Sequence, residues 1–390
     1  MAGARVAITG MGAISAAGDT CDATLAMLRA GRRRPGRVSV VDSPLTKPVF
    51  EVRSDRLIPH PTRMRTLSLA LCAVEEAMRN ARINELGKRA RVGVCLGTTV
   101  ASQLNDLEFY RAYRTGSTPS MDAVDRYLQG NLAEAIAREF SLSGPTLTVA
   151  NACSSGTDAV GIAMTWLAAD ACDIVIAGGA DEINRVPLAG FHALGILSDE
   201  PCAPFDRNRS GLNLGEGAAA LVLEGFDSAA RRAASVGVTC VGYGTCCDAY
   251  HVTAPRPDGS GLESAIRTAL SEAGVSAGEV AFVNAHGTAT RDNDLVEGAV
   301  LARVFGEACR VSASKGYTGH TLGAAGALEA VFTALGLRHG WISASAGFTE
   351  RDPAIPVSPV RELTSIDGRY AMSTSLGFGG NNSALVFGRA

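Results

Sequence analysis

The sequence predicts an α/β protein built from two similar halves, and three observations carry that expectation. Short β-type runs alternate with helical patterns along the whole chain. A strand that runs into a tight turn of small residues and then an Ala/Gly-rich helix occurs once in each half. The length, 390 residues with 46% hydrophobic and 19% charged content, is enough for two domains or one large duplicated unit with a sizeable core.

Strands are expected at Val6–Thr9, Val92–Leu96, Leu147–Ala150, Ile174–Ala177, Ala219–Leu223, Thr239–Tyr243, Val280–Asn284, Val311–Ala313 and Ser383–Phe387. Helices are expected at Ala23–Ala30, Arg65–Arg82, Asn131–Phe140, Thr157–Ala169, Leu262–Glu272, Asp294–Phe305 and Ala324–Leu337. An Ala/Arg stretch within Leu223–Val238 reads as the join, giving an N-terminal half 1–235 and a C-terminal half 236–390.

Net charge is −3, so bulk affinity for nucleic acid is not expected. The ten cysteines form no CxxC pair and mostly lie in apolar runs, which fits a reducing cytoplasm better than a disulfide framework or a zinc site. No run of 18 uncharged apolar residues occurs: Asp170 and Asp173 interrupt one candidate and Glu329 another, so no membrane span is expected. The N-terminal VAIT reads as a first strand rather than a leader peptide.

Cys153 is the most informative residue. It follows the run TLTVAN and precedes a helix of small residues. At such a junction backbone N–H groups and the helix dipole favour a thiolate, and crowded amides can face the oxygen of whatever the sulfur attacks. An ordinary buried core cysteine is the alternative.

Two of the six histidines stand in similar surroundings. His286 follows a strand in VNAHGTAT, with hydroxyls at Thr288 and Thr290. His320 lies in SKGYTGHTLGAAGALE, just before a helix of very small residues. Partnering a nucleophile-type cysteine, the pair points to catalysis. Metal binding is the rival reading, but no HxxH or HxH spacing appears, so no metal is assigned. Three of the 36 basic residues are lysines, which makes Lys315 inside a motif conspicuous. The carboxylates Asp294, Glu297 and Glu329 could form a buried network around it that positions the histidines. The glycine-flanked Phe378 in SLGFGGNN reads as a mobile aromatic lid or an ordinary turn.

Taken together, the segments ITGMGAIS, NACSSG, PFDRNRSG with LGEGA, DAYHVTAP, VNAHGTAT and SKGYTGHTLGAAGALE resemble, in order, the β-ketoacyl-acyl-carrier-protein synthases. These are condensing enzymes of fatty-acid and polyketide assembly. The resemblance spans nearly the whole chain and implies a thiolase-like, duplicated five-layer αβαβα fold. It implies that Cys153 takes an acyl group as a thioester, with the amides of Cys153 and Phe378 as its oxyanion hole. It implies that His286 and His320 promote decarboxylation of malonyl carrier protein and stabilise the enolate, each donor supplying roughly 3–4 kcal/mol. Lys315 with Glu329 and Asp294 would be the supporting ion network, Thr288 and Thr290 would hold the pantetheine arm, and Phe378 would gate the half-reactions. Gly190 and Phe191 would line the acyl pocket. No cofactor is implied.

Departures from the usual pattern are Leu376, Asn381, Gly316-Tyr317 and Arg291-Asp292; none removes a reacting group. The alternatives are a thiolase or chain-starting synthase that uses coenzyme A thioesters, and a non-catalytic partner subunit of a heterodimer. The histidine pair argues against the first and Cys153 against the second. The implied partners are an acidic acyl carrier protein and a second copy of the chain. Arg63, Arg65, Arg207 and Arg209 are candidates for carrier docking, or for surface or internal ion pairs.

Overall fold

The structure is a computed structural model that describes residues 5–58, 63–83, 90–99, 107–122, 124 and 131–390. Its strands are β1 (Val6–Ser15), β2 (Val92–Gly97), β3 (Thr146–Val149), β4 (Ile174–Asp181), β5 (Gly217–Glu224), β6 (Val238–Cys247), β7 (Val280–Asn284), β8 (Val311–Ser312), β9 (Trp341–Ile342), β10 (Thr364–Ser365), β11 (Tyr370–Gly377) and β12 (Asn381–Arg389). Strands β9 and β10 form a small separate ribbon.

The remaining ten strands repeat one arrangement. The first five are ordered β3-β2-β4-β5-β1 and the second five β8-β7-β11-β12-β6. In each set the first three strands run parallel, and the last two join antiparallel. The sets meet where Val6–Ile8 of β1 pairs antiparallel with Val238–Cys240 of β6. This duplicated topology agrees with the fold class expected from the sequence.

Three apolar cores separate the layers. Alternate residues of β5 show how: Ala219, Leu221 and Leu223 enter the central core, while Ala218, Ala220 and Val222 face the helix Arg65–Ala81 and the helix Leu132–Glu139. In the other half Leu385 and Phe387 of β12 face the centre, and Ala384 and Val386 face the helices Ser260–Ala273 and Arg291–Phe305. Strands buried on both faces need continuous apolar runs, which is why these carry little alternation. Between the sheets lie the helices Ser155–Ala168 and Ala325–His339. The second is buried from Ala325 to Leu337 on every side, so its sequence is small and apolar all round.

These central helices meet at glycines. A Cβ at Gly326 would stand 2.1 Å from Thr157 Oγ1, and one at Gly156 2.7 Å from the Ala327 nitrogen. The close approach puts the N-terminal ends of the two helices side by side, and with them the turns that carry Cys153 and His320.

Two expectations differ from the structure. The first strand does not stop at Thr9 as expected: it runs on to Ser15, and ITGMGAIS is the body of β1. Its glycines admit the helix Arg65–Ala81, whose Ala73 carbonyl oxygen would lie 2.0 Å from a Cβ at Gly12. Strand β11, YAMSTSLG, carries no strand signal because Ser373, Thr374 and Ser375 interrupt its apolar pattern, yet all three are fully buried in the sheet. Among the described residues no helix is long and apolar enough to cross a membrane.

Candidate active site

Strand β3 delivers the chain to a single turn of 3-10 helix, Ala152–Ser154, and then to the helix Ser155–Ala168. Ala152 adopts φ 50°, a left-handed conformation that costs an alanine roughly 1–2 kcal/mol. The turn leaves Cys153 buried, with 5% exposure, in the wall of a cavity of about 440 Å³. From the other half, the end of β11 packs on this turn: a Cβ at Gly377 would be 3.3 Å from the Cys153 nitrogen. The next amide, that of Phe378, favours the anionic form of the Cys153 sulfur. Two amides therefore converge beside the sulfur.

The expected thiolate is not the resting state. Burial pushes the Cys153 thiol up to about 11, with the Lys315 charge and the Phe378 amide opposing it incompletely. Desolvation of the anion outweighs the helix terminus here.

His286 follows β7 and is 1% exposed; His320 is 2% exposed. Both line the same cavity as Cys153. Their rings lie edge to face, 5.3 Å apart between centroids at 85°. Each ring has its tautomer fixed by a donor. The Lys315 ammonium, which can only donate, lies 3.0 Å from His286 Nδ1 and also reaches the His286 carbonyl oxygen. The Leu322 backbone N–H donates to His320 Nδ1 at 3.3 Å. In both rings the proton is thereby left on Nε2. Burial, followed by the Lys315 charge, lowers both imidazoles well below their usual range, so they are neutral N–H donors at pH 7.

Lys315 is itself 1% exposed and pairs with Glu329 Oε1. Burial raises the Glu329 carboxyl to about 7 against the pull of Lys315. Glu297 accepts the backbone N–H groups of His286 and Gly287 at 2.8 Å each and the Thr374 hydroxyl at 2.8 Å, so it fixes the histidine turn through its main chain. Asp294 does not join the Lys315 network: its carboxylate is taken by the amides of Phe205 (2.6 Å) and Ala289 (3.2 Å), and Arg209 Nε lies 3.8 Å away. It braces the same turn from behind. Burial raises it to about 6.

Thr288 and Thr290 line the cavity, their hydroxyls 2.8 Å apart. Phe378 stacks on Phe191, with centroids 5.4 Å apart and planes 16° apart. Gly190 does not line the cavity. It faces outward on the helix Arg185–Ala193, where a Cβ would meet nothing within 4 Å, while Phe191 turns inward. The apolar wall is completed by Leu194, Ile196, Leu212 and Leu376. The hydrogen bonds that hold the Phe378 loop, such as the Gly379 amide to the Val252 carbonyl at 2.7 Å, have no spacing signal in the sequence.

All four arginines, candidates for docking or for ion pairs, have partners within the chain: Arg63 with Glu139 at 3.8 Å, Arg65 with Glu216 at 2.6 Å, Arg207 with Glu350 at 2.8 Å and Arg209 with Asp352 at 2.6 Å. Arg209 is buried and Arg65 half-buried, and both pair with carboxylates of the fold. His251 is likewise structural, its Nδ1 accepting from the amides of Thr253 and Ala254.

Comparison with known proteins follows the same outline. The β-ketoacyl synthase N-terminal domain matches residues 60–229 and the C-terminal domain residues 238–349. A curated relative, 3-oxoacyl-[acyl-carrier-protein] synthase 2 of Staphylococcus aureus strain N315, is 33% identical over 98% of this chain and 98% of its own length. Among solved structures, a chain of the ishigamide ketosynthase/chain length factor superposes with TM-score 0.91 at 33% identity, covering 100% of both chains. A chain of AntDE:AntF, a type II polyketide acyl-carrier protein in complex with its ketosynthase, gives TM-score 0.88 at 25% identity, also covering 100% of both. Two consecutive domain matches and full-length similarity assign this chain to the β-ketoacyl synthase family.

Proposed function

We propose that the chain joins an acyl group held on Cys153 to the two-carbon unit released from a malonyl group on an acyl carrier protein. The observation that carries this reading is the tautomer pair: two neutral imidazoles, each held from its Nδ1 side, present Nε2–H donors in the cavity that contains Cys153.

In the first half-reaction the Cys153 sulfur attacks the carbonyl carbon of an acyl thioester. The Cys153 and Phe378 amides stabilise the oxyanion, the carrier sulfur leaves, and the thiol proton ends on that sulfur. Since burial disfavours the free thiolate, proton loss accompanies the attack. In the second half-reaction the bond from the malonyl α-carbon to its carboxylate breaks, CO₂ departs, and the electron pair passes into an enolate. The oxygen of that enolate accepts from both Nε2–H groups; two neutral donors suit an anion that must form and then be consumed. The enolate carbon attacks the Cys153 thioester, the sulfur leaves and takes a proton from solvent, and a 3-oxoacyl carrier protein is released. Lys315 and Glu329 keep the His286 proton on Nε2 throughout. Thr288 and Thr290 are assigned to the pantetheine arm, and Phe378 with Phe191 to the gate and wall of the acyl pocket.

We further propose a cytoplasmic homodimer with its halves divided at 235/236. The described cysteines are all free thiols, and β3 is an edge strand whose Thr146 and Leu147 are exposed. The test supplies acyl- and malonyl-carrier protein and analyses the products. A 3-oxoacyl carrier protein two carbons longer, absent with Cys153→Ala, is expected; turnover with coenzyme A thioesters alone, or an undiminished product with Cys153→Ala, overturns the reading.

A further inference from the structure

The nucleophile turn is held by a carboxylate that the proposed chemistry does not use. Asp158 is 4% exposed and lies five residues beyond Cys153, in the helix Ser155–Ala168. Its Oδ2 accepts from Asn151 Nδ2 at 2.6 Å and from the Ser154 hydroxyl at 2.7 Å, residues that bracket Cys153 on both sides. Its Oδ1 accepts from the Tyr243 hydroxyl at 2.9 Å and from the Ser383 hydroxyl. Tyr243 comes from β6 and Ser383 from β12, so one carboxylate ties the turn to two strands of the opposite half. The Tyr243 ring has a seat made for it at Gly161, where a Cβ would stand 2.4 Å from the ring. Burial and the neighbouring Asp158 charge raise the Tyr243 hydroxyl, which keeps it a donor.

No cation appears among these partners; four neutral donors hold a buried charge. Such an arrangement is costly unless every bond is made, so it tolerates little movement. What it holds in place is the strained Ala152, whose left-handed backbone persists only if the surroundings over-determine it. We infer that Asp158 is a positioning residue for the Cys153 half-reaction: it fixes the Asn151–Ser154 turn so that the sulfur and the Cys153 amide face the same carbonyl carbon and oxygen. The histidine pair is held by Glu297, Lys315 and the Leu322 amide instead, with no bond to Asp158.

This inference rests on the reading of Cys153 as the nucleophile, and it divides the reaction in a way that a general structural role would not. In Asp158→Asn the side chain offers one acceptor oxygen, so two of the four donors lose their partner. The transfer of an acyl group to Cys153, followed by intact mass, is expected to slow at least tenfold, since small misplacements of reacting groups cost about that much or more. CO₂ release from malonyl-carrier protein is expected to stay within about twofold of the parent protein. Tyr243→Phe, which removes one donor and keeps the ring, is expected to give a smaller loss in acyl transfer with the same unaffected CO₂ release. Equal losses of both half-reactions in Asp158→Asn, or acyl transfer unchanged in both variants, would overturn the inference. Failure of the parent protein to acylate at Cys153 would instead overturn the nucleophile reading on which it stands.

Discussion

Ala152 and Leu322 share one backbone conformation, φ 50° and φ 53°, at corresponding places in the two halves of the chain. Each lies in the short 3-10 turn that leads into one of the two central helices. One turn places Cys153, and the other supplies the Leu322 amide that fixes His320. A duplicated strand–turn–helix unit thus holds the proposed nucleophile on one side and a hydrogen-bond donor to His320 on the other. The crossing of Gly156 and Gly326 brings the two together.

That crossing predicts a stability effect. Gly326→Ala would force a methyl against Thr157 between two sheets, and overpacking of this kind costs about 1–3 kcal/mol. Gly190→Ala, in open space on an exposed helix, should instead gain about 0.5–1 kcal/mol. Thermal unfolding of both variants checks the contrast.

The Lys315–Glu329 pair predicts a second. Lys315→Met leaves Glu329 as a buried, unpaired carboxyl, and breaking such a pair costs about 3–5 kcal/mol. The double variant Lys315→Met/Glu329→Gln should recover much of that stability. Its CO₂ release should remain low, because His286 Nδ1 has lost the donor that fixes its tautomer. Denaturant unfolding and CO₂ release, measured on the single and double variants, separate the two roles.

The protonation states set opposite pH behaviour for the two half-reactions. The imidazoles titrate well below their usual range and stay neutral from pH 6 to 8, so a step in CO₂ release within that window is expected only from the Glu329 carboxyl, raised to about 7, and from Asp294, raised to about 6. Cys153 is raised to about 11, so its thiolate fraction grows as pH rises. Alkylation of Cys153 by iodoacetamide should accelerate about tenfold per pH unit between pH 7 and 9, with no plateau in that range. A plateau near pH 7 would mean that the thiolate is stabilised after all.

Phe191 and Phe378 predict a change in acyl selection. Phe191→Ala removes the ring on which Phe378 rests and deepens the pocket. Longer or branched acyl groups should gain about tenfold in kcat/KM relative to short ones, a size typical for apolar pocket contacts. Competition between acyl-carrier proteins of different chain length measures it.

The three side chains that meet in the cavity were legible because each stands among small residues, Cys153 and His286 just after a strand and His320 just before a helix, a context that periodicity and composition reveal. The fold class was legible from alternation of strands and helices and from the repeated unit. Strand β11 was not, because Ser373, Thr374 and Ser375 break the apolar pattern of a strand, and two of them serve buried polar partners: Thr374 binds Glu297, and Ser375 lies 2.8 Å from Thr157. Gly190 and Phe191 differ by one position yet face opposite ways on a helix, a direction that the local sequence does not fix. For Arg65 and Arg209 the sequence left docking, surface and internal pairing all open, because their partners, Glu216 and Asp352, are more than a hundred positions away. Asp294 was grouped with Lys315, whereas the cation beside it is Arg209, from the other half of the chain. The resting Cys153 thiol also follows from tertiary burial, which no local motif encodes.

The most direct test of the account separates the sulfur from the rings. Acylation of residue 153 and CO₂ release from malonyl-carrier protein are measured in Cys153→Ala, His286→Ala and His320→Ala. The account predicts that Cys153→Ala releases CO₂ without forming a carbon–carbon bond, and that the histidine variants still acylate Cys153 while CO₂ release falls about a hundredfold or more. Histidine variants that release CO₂ at the parent rate would contradict it.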